Sequence, residues 1–258
     1  MTASKTLMKI KHALVVTSLI AATQNANLYA DTILGIYAGA GVWNASYDGE
    51  LGANNISTDE LDLDEEQNNF FYLALEHPIP ILPNIKVVQT DISNTSNTTL
   101  GVDFTLDDIT FGVNEDVAVD IDLNHTDLTL YYEVLDNWVS LDIGLTGRIF
   151  DGEASVSSDL QAESLELDGA IPMAYLKAQF DLPFSGWFVA GSGNLASYDG
   201  SSLNDIDIKV GYDLGIAPAL DVGFELGYRN FALELDDFDG FDTDITLDGL
   251  YLGLTANF

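Results

Sequence analysis

After Asp31, apolar and polar residues alternate with a period of two along most of the chain, and no stretch carries a helical period. Val139, Leu141, Ile143 and Leu145 alternate with Ser140, Asp142, Gly144 and Thr146. Leu220, Val222, Phe224, Leu226 and Tyr228 alternate with Asp221, Gly223, Glu225, Gly227 and Arg229. Successive side chains of a strand point to opposite faces, so each segment has one apolar face and one polar, charged face. This pattern excludes a helical fold and leaves an all-β architecture.

Ten strands follow from the pattern, over 33–47, 69–77, 84–92, 121–133, 138–150, 170–182, 187–196, 205–214, 219–231 and 244–258. The connections between them alternate in length. Residues 48–68, 93–120, 151–169, 197–204 and 232–243 form the longer set. Residues 78–83, 134–137, 183–186 and 215–218 form short turns, most of them containing proline, whose fixed φ suits a turn. Long connections at one end and short turns at the other describe an up-and-down antiparallel transmembrane β-barrel. The count becomes twelve if residues 100–112 form another strand pair.

Charge sorts by place. Forty-two Asp and Glu face eight Lys and Arg, a net charge of -34, which makes nucleic acid a poor partner. The five longer connections hold 26 of the acids and no Lys or Arg. Beyond residue 30 the basic residues are Lys86, Arg148, Lys177, Lys209 and Arg229, all within strands. Four of them share the polar face of their strand with acids. Arg148 shares its face with Asp142, Lys177 with Asp181, Lys209 with Asp205, Asp207 and Asp213, and Arg229 with Asp221 and Glu225. Neither face of the Lys86 strand is clean. A Lys or Arg facing lipid at the midplane costs ~2–4 kcal/mol, so the charged faces belong inside the barrel. The lumen network is therefore expected to comprise Asp142, Arg148, Lys177, Asp205, Asp207, Lys209, Asp213, Asp221, Glu225 and Arg229. Aromatic residues near strand ends, among them Trp43, Tyr47, Phe70, Phe71, Tyr131, Tyr132, Trp138, Phe184, Trp187, Tyr228 and Phe231, are expected to form interfacial girdles.

The N-terminus supplies a route to the membrane. Lys5, Lys9 and Lys11 precede an apolar run from Ala13 to Ala22, and a small residue, Ala30, ends the polar stretch after it. This is the pattern of a secretory signal, with residues 1–30 removed and 31–258 forming the barrel. The absence of Cys excludes disulfides, thiol chemistry and an N-terminal lipoprotein anchor.

The C-terminus places Leu250, Leu252, Leu254, Ala256 and Phe258 on one face and stops at Phe. This ending resembles the signal read by the barrel-assembly machinery of bacterial outer membranes, with Phe258 as the assembly signal. The opening Asp31-Thr-Ile-Leu-Gly-Ile-Tyr-Ala-Gly-Ala-Gly-Val-Trp43, the turn Glu76-His-Pro-Ile-Pro-Ile-Leu-Pro-Asn84, Leu141-Asp-Ile-Gly-Leu145 and Gly227-Tyr-Arg229 resemble a family of small proteobacterial outer-membrane β-barrel proteins of unassigned activity. The resemblance implies a fold and a location, the Gram-negative cell outer membrane. It brings no catalytic residues.

No cofactor, metal centre or catalytic constellation is expected. His77 has no second His or Cys at ligand spacing. The acidic runs at 59–66 and 236–244 read as solvated loops, with divalent cations bridging them to lipopolysaccharide as a further expectation. The partners are then outer-membrane lipid, lipopolysaccharide and the assembly machinery. The expected function is a narrow, cation-preferring channel or a structural barrel, not an enzyme. The alternative is an outer-membrane hydrolase or acyltransferase that uses His125 and Asp127, two residues apart on one strand face. A secreted β-sandwich is the third reading.

Overall fold

The computed structural model describes residues 34–52, 55–107, 109–215, 220–238 and 241–258, with the side chains of 236–242 also outside the description. The signal segment 1–30 and Pro218 lie outside the described residues. Fifteen strands are present. They are β1 (Gly35–Leu51), β2 (Ile56–Ser57), β3 (Glu66–Glu76), β4 (Asn84–Asp91), β5 (Ser93–Thr99), β6 (Phe104–Leu106), β7 (Ile109–Phe111), β8 (Asp116–Asp122), β9 (His125–Leu135), β10 (Val139–Ser158), β11 (Ala162–Asp181), β12 (Trp187–Tyr198), β13 (Ser201–Asp213), β14 (Asp221–Phe238) and β15 (Phe241–Asn257).

Ten of these close on themselves. The order β1-β3-β4-β9-β10-β11-β12-β13-β14-β15 is antiparallel throughout, and β15 returns to pair with β1. The ten-strand barrel stands, and a soluble sandwich is excluded. The stretch 100–112 does form a strand pair, β6–β7, but in a separate two-stranded sheet. The last residue seals the seam: Phe258 N–H donates to Ile36 O (2.9 Å), and Ile36 N–H donates to Phe258 O (3.1 Å).

The longer connections are corrected by the structure. Most of their residues are strand. β10 and β11 continue as one hairpin through 158–162, and β14 and β15 pair far beyond the sequence-derived ends. The reason is a change in which face is apolar. On β10, Leu141, Ile143, Leu145 and Ile149 point outward, while beyond them Phe150, Ala154 and Val156 point inward. On β14 the outward Phe224, Leu226 and Tyr228 give way to the inward Phe231 and Leu233. On β15 the outward Leu254, Leu252 and Leu250 give way to the inward Leu247 and Ile245. The barrel is thus built inside-out near the short turns and in the soluble manner above.

The outward apolar stretch of β10 runs from Leu141 to Ile149, about 26 Å along the strand at ~3.3 Å per residue. With a tilt of ~40° this rises roughly 20 Å, close to the ~25 Å apolar band of outer-membrane barrels. Trp138 packs edge-on against Phe180 and Trp187 against Phe224, and these rings ornament the short-turn rim. The expected girdle is corrected for Trp43, Tyr47, Phe70, Tyr131 and Phe231. Their strand parity turns them inward, and all but the partly buried Phe70 are buried.

Above the apolar band, the barrel interior is a hydrophobic core. Trp43, Phe231, Leu247, Leu203 and Met173 from the barrel wall join Leu61, Leu63, Leu100, Phe104 and Phe111 from the segments above. Burying a Leu or Phe side chain fully stabilises by roughly 1.5–3 kcal/mol. Hydrogen bonds hold these segments in place. Asn94 Nδ2 donates to Asp64 O (2.8 Å), Ser96 Oγ to Leu61 O (2.5 Å) and Gln161 Nε2 to Thr110 O (2.8 Å). Residues 55–65, 100–107 and 109–115 therefore close the bore from above.

Candidate functional site: a charged layer above a polar cup

All five basic residues of the described chain point into the lumen, including Lys86. The parity of β4 settles Lys86, since Ile85 and Val87 beside it face outward. The barrel exterior and the part of the barrel above the apolar band carry no Lys or Arg among the described residues.

Directly beneath the hydrophobic core lies a layer of two arginines and two aspartates. Arg148 on β10 is fully buried. Its Nε donates to Asp127 Oδ1 (2.7 Å) and its Nη2 to Asp127 Oδ2 (2.7 Å), a two-pronged contact with the neighbouring strand β9. The same Nη2 reaches across the bore to Asp205 Oδ2 on β13 (2.5 Å). Arg229 on β14 grips Asp205 with Nε (2.8 Å) and Nη2 (2.7 Å). Asp205 thus bridges both guanidinium groups, and the four charges cancel. Flat aromatic surfaces back the cations, with Arg229 4.8 Å from the Trp43 ring centroid and Arg148 5.6 Å from that of Phe231. Planar guanidinium forks suit carboxylates held this way.

The charges that share a strand face do not pair along the strand. Arg148 and Asp142 share a face but lie six positions apart, about 20 Å along the strand. The partners of Arg148 come instead from adjacent and opposite strands. Asp142 pairs with Lys177 Nζ (3.3 Å) and Glu225 with Lys209 Nζ (2.8 Å). Asp207 accepts from Tyr251 OH (3.1 Å) and from Ser192 Oγ. Asp213 lines the lower lumen, and Asp221 accepts the Gly215 N–H (2.7 Å) at the adjoining turn. Lys86 lies over the rings of Tyr72 (5.2 Å) and Tyr175 (5.9 Å).

His125 and Asp127 do share an inward face, but both are buried. His125 Nδ1 is 2.8 Å from Leu123 O, and its ring stacks on Phe231 (5.8 Å, 21°) and tilts against Phe150 (5.4 Å). Both carboxylate oxygens of Asp127 are taken by Arg148. His125, Asp127 and Asp205 offer ligand atoms within 4.8 Å of one another, the spacing of a metal site. The Arg148 guanidinium already holds Asp127 and Asp205 and supplies the positive charge there. His77 braces a turn, taking Asn84 Oδ1 on its backbone N–H (3.0 Å) and placing Nε2 3.2 Å from Pro83 O.

Below the layer the lumen is polar and open toward the short turns. A cavity of about 340 Å³ is lined by Tyr37, Tyr131, Glu76, Asp142, Lys177 and Asp213 among others. A narrower space of about 80 Å³ connects it, past Tyr72, Lys86 and Tyr175, to the underside of Asp127, Asp205 and Arg229. Tyr72, Tyr131 and Tyr175 share strand parity with Glu76, Asp127 and Asp181 of their own strands, a signal present in the sequence.

No protein-family model and no curated protein matches the chain. Solved structures with a similar arrangement include the outer-membrane protease OmpT from Escherichia coli (12% identity, 92% of this chain and 99% of that one, TM-score 0.42). Others are the CymD monoaromatic hydrocarbon channel (8%, 87% and 87%, 0.34) and a Pseudomonas aeruginosa FadL homologue (7%, 87% and 89%, 0.31). All three are outer-membrane barrels. At these values the likeness carries no argument about activity.

Proposed function

We propose that this chain is an integral outer-membrane barrel of the structural kind, with its lumen sealed on the extracellular side. One observation carries the reading: the upper bore is filled by a continuous hydrophobic core resting on the Arg148–Asp127–Asp205–Arg229 layer. A hydrated ion passing it would have to open both. The outward apolar band supports the membrane placement, and the cation-free exterior above the band supports a solvated, strongly acidic extracellular surface. His125 is buried and both carboxylate oxygens of Asp127 are held by Arg148, and this argues against the hydrolase or acyltransferase alternative. Cation preference would apply only to a barrel whose plug had been removed, because acids then dominate the remaining wall.

The test is a planar-bilayer recording of the refolded, heat-modifiable barrel under a KCl gradient. The reading expects a silent bilayer. Steady cation-selective steps would establish the channel reading in its place.

A further inference from the structure

Two neighbouring hairpins of the wall, β10–β11 and β12–β13, reach different heights. β11 pairs with β10 from Ala162 to Phe180 without a break, whereas its ladder with β12 covers only Ala174 to Asp181. β12 turns back at Asp199 and Gly200, both at positive φ, and pairs with β13 up to Tyr198 and Ser201. The upper part of β11 therefore has a second edge with no strand on it among the described residues. The hairpin turn fixes which groups point there. Ser158 N–H donates to Gln161 O (2.8 Å), and at the far end Asp181 N–H donates to Trp138 O (3.0 Å). Odd residues of β11 thus bond to β10, and the alternate residues of an antiparallel strand point the other way. Ala162, Ser164, Glu166, Asp168 and Ala170 turn their N–H and C=O to the open edge, about 26 Å of it at ~3.3 Å per residue. All are exposed. Ile149, the last outward apolar residue of the β10 band, lies opposite Ala170, so the edge stands above the lipid.

We propose that this edge is a docking site for an extended cationic peptide arriving from outside the cell, which adds to the sheet as one more strand. An unpaired strand edge is a template for main-chain pairing. Charge selects the occupant. On the outer face Asp168 lies opposite Asp151 and Glu166 opposite Glu153, all exposed, in two like-charged pairs. Asp122 of β8 lies opposite Glu153 and extends the block. Like charges directly opposite one another destabilise a sheet, and no Lys or Arg stands on the barrel exterior among the described residues to offset them. A second copy of this chain is a poor occupant for the same reason. Pairing β11 with itself would bring Glu166 and Asp168 of one copy against those of the other. On the inner face Leu165, Leu167 and Ile171 are only partly buried, at the margin of the hydrophobic core. A strand laid here meets acids on one face and aliphatic surface on the other. The fitting peptide alternates Lys or Arg with an aliphatic residue over about nine residues, the length of the edge.

The inference rests on the outer-membrane placement and not on the closed bore, so conducting steps in a bilayer would leave it standing. The test is fluorescence anisotropy of a labelled, end-blocked peptide of alternating Lys and Val, about nine residues long, titrated with the folded barrel in non-ionic detergent. Saturable one-to-one binding is expected. Glu166→Gln with Asp168→Asn should weaken it about fivefold, the size of two exposed cross-strand charge pairs. Glu234→Gln with Asp244→Asn should leave it unchanged. That pair carries the same charge, also directly opposed on exposed positions, but β13 and β1 flank it and no edge is open. Ser164→Pro removes one edge N–H, keeps every charge and should abolish binding. The peptide is also made N-methylated on its lysines or on its valines. At least one of these forms should fail to bind, because alternate N–H groups of an added strand face the edge. Retained binding by both methylated forms, equal weakening by the two double variants, or no saturable binding at all would each overturn the proposal. The last result would leave the acids as guards against edge-to-edge association.

Discussion

Replacing Arg148 with Met should destabilise the barrel more than any other single change at the charged layer. The side chain is fully buried and meets Asp127 through two hydrogen bonds of 2.7 Å. Met has a similar stem and fills much of the volume, so the loss comes mainly from charge. Asp205 keeps Arg229, but Asp127 is left buried with no cation. Breaking a buried pair from one side costs roughly 3–5 kcal/mol. Removing both charges, as Arg148→Met with Asp127→Leu, should recover most of that loss, because apolar replacements of buried ion pairs are often neutral. The assay is equilibrium unfolding in guanidinium with the heat-modifiable gel shift and intrinsic fluorescence as probes, completed as a double-mutant cycle with Asp127→Leu. The reasoning requires a large positive coupling. If the double variant lost the sum of the two single losses, or if Arg148→Met alone lost under ~1 kcal/mol, the layer would not be held by this pair.

Other changes separate the two halves of the barrel. Leu145 is 69% exposed on the outward apolar band, so Leu145→Arg should cost ~2–4 kcal/mol in lipid, where a water-exposed site would cost under ~0.5 kcal/mol; unfolding in liposomes decides between them. Gly227 faces the Tyr251 ring so closely that any Cβ would overlap it. Gly227→Val should therefore lose ~1–3 kcal/mol by overpacking, and the same unfolding assay reads the loss. Deleting Phe258 removes two backbone hydrogen bonds at the β1–β15 seam as well as the terminal aromatic. The heat-modifiable fraction recovered from outer membranes should fall, while secretion into the periplasm persists.

Strand count, barrel closure and the side on which the charges lie were legible because a period of two fixes faces. Parity groups Arg148, Lys177, Lys209 and Arg229 with the acids of their own strands. The strand ends were misread for a physical reason. At Ile149–Phe150 the apolar residues move from odd to even positions on β10, and at Tyr228–Phe231 they move from even to odd on β14. Each switch interrupts a single alternating run and mimics a loop. It marks the level where lipid outside gives way to water, so that apolar side chains must turn inward to be buried. The pairing of the charges was not legible. Ion partners in a barrel come from across strands and across the bore, and the stagger that brings Asp205 to Arg148 is set by closure of the whole sheet. The same limit hid the role of Asp127, which looks like a catalytic neighbour of His125 in sequence and is a clamp on Arg148 in space.

The chain has no Cys, which makes single cysteines clean reporters of access. Ser140, on the wall of the lower cavity, and Ser96, enclosed beneath the extracellular segments, bracket the seal. A bulky membrane-impermeant maleimide added to intact cells should label neither Ser140→Cys nor Ser96→Cys. After the outer membrane is permeabilised, it should label Ser140→Cys alone. Labelling of Ser140→Cys in intact cells would mean that the bore is open to the outside, and would contradict the sealed barrel.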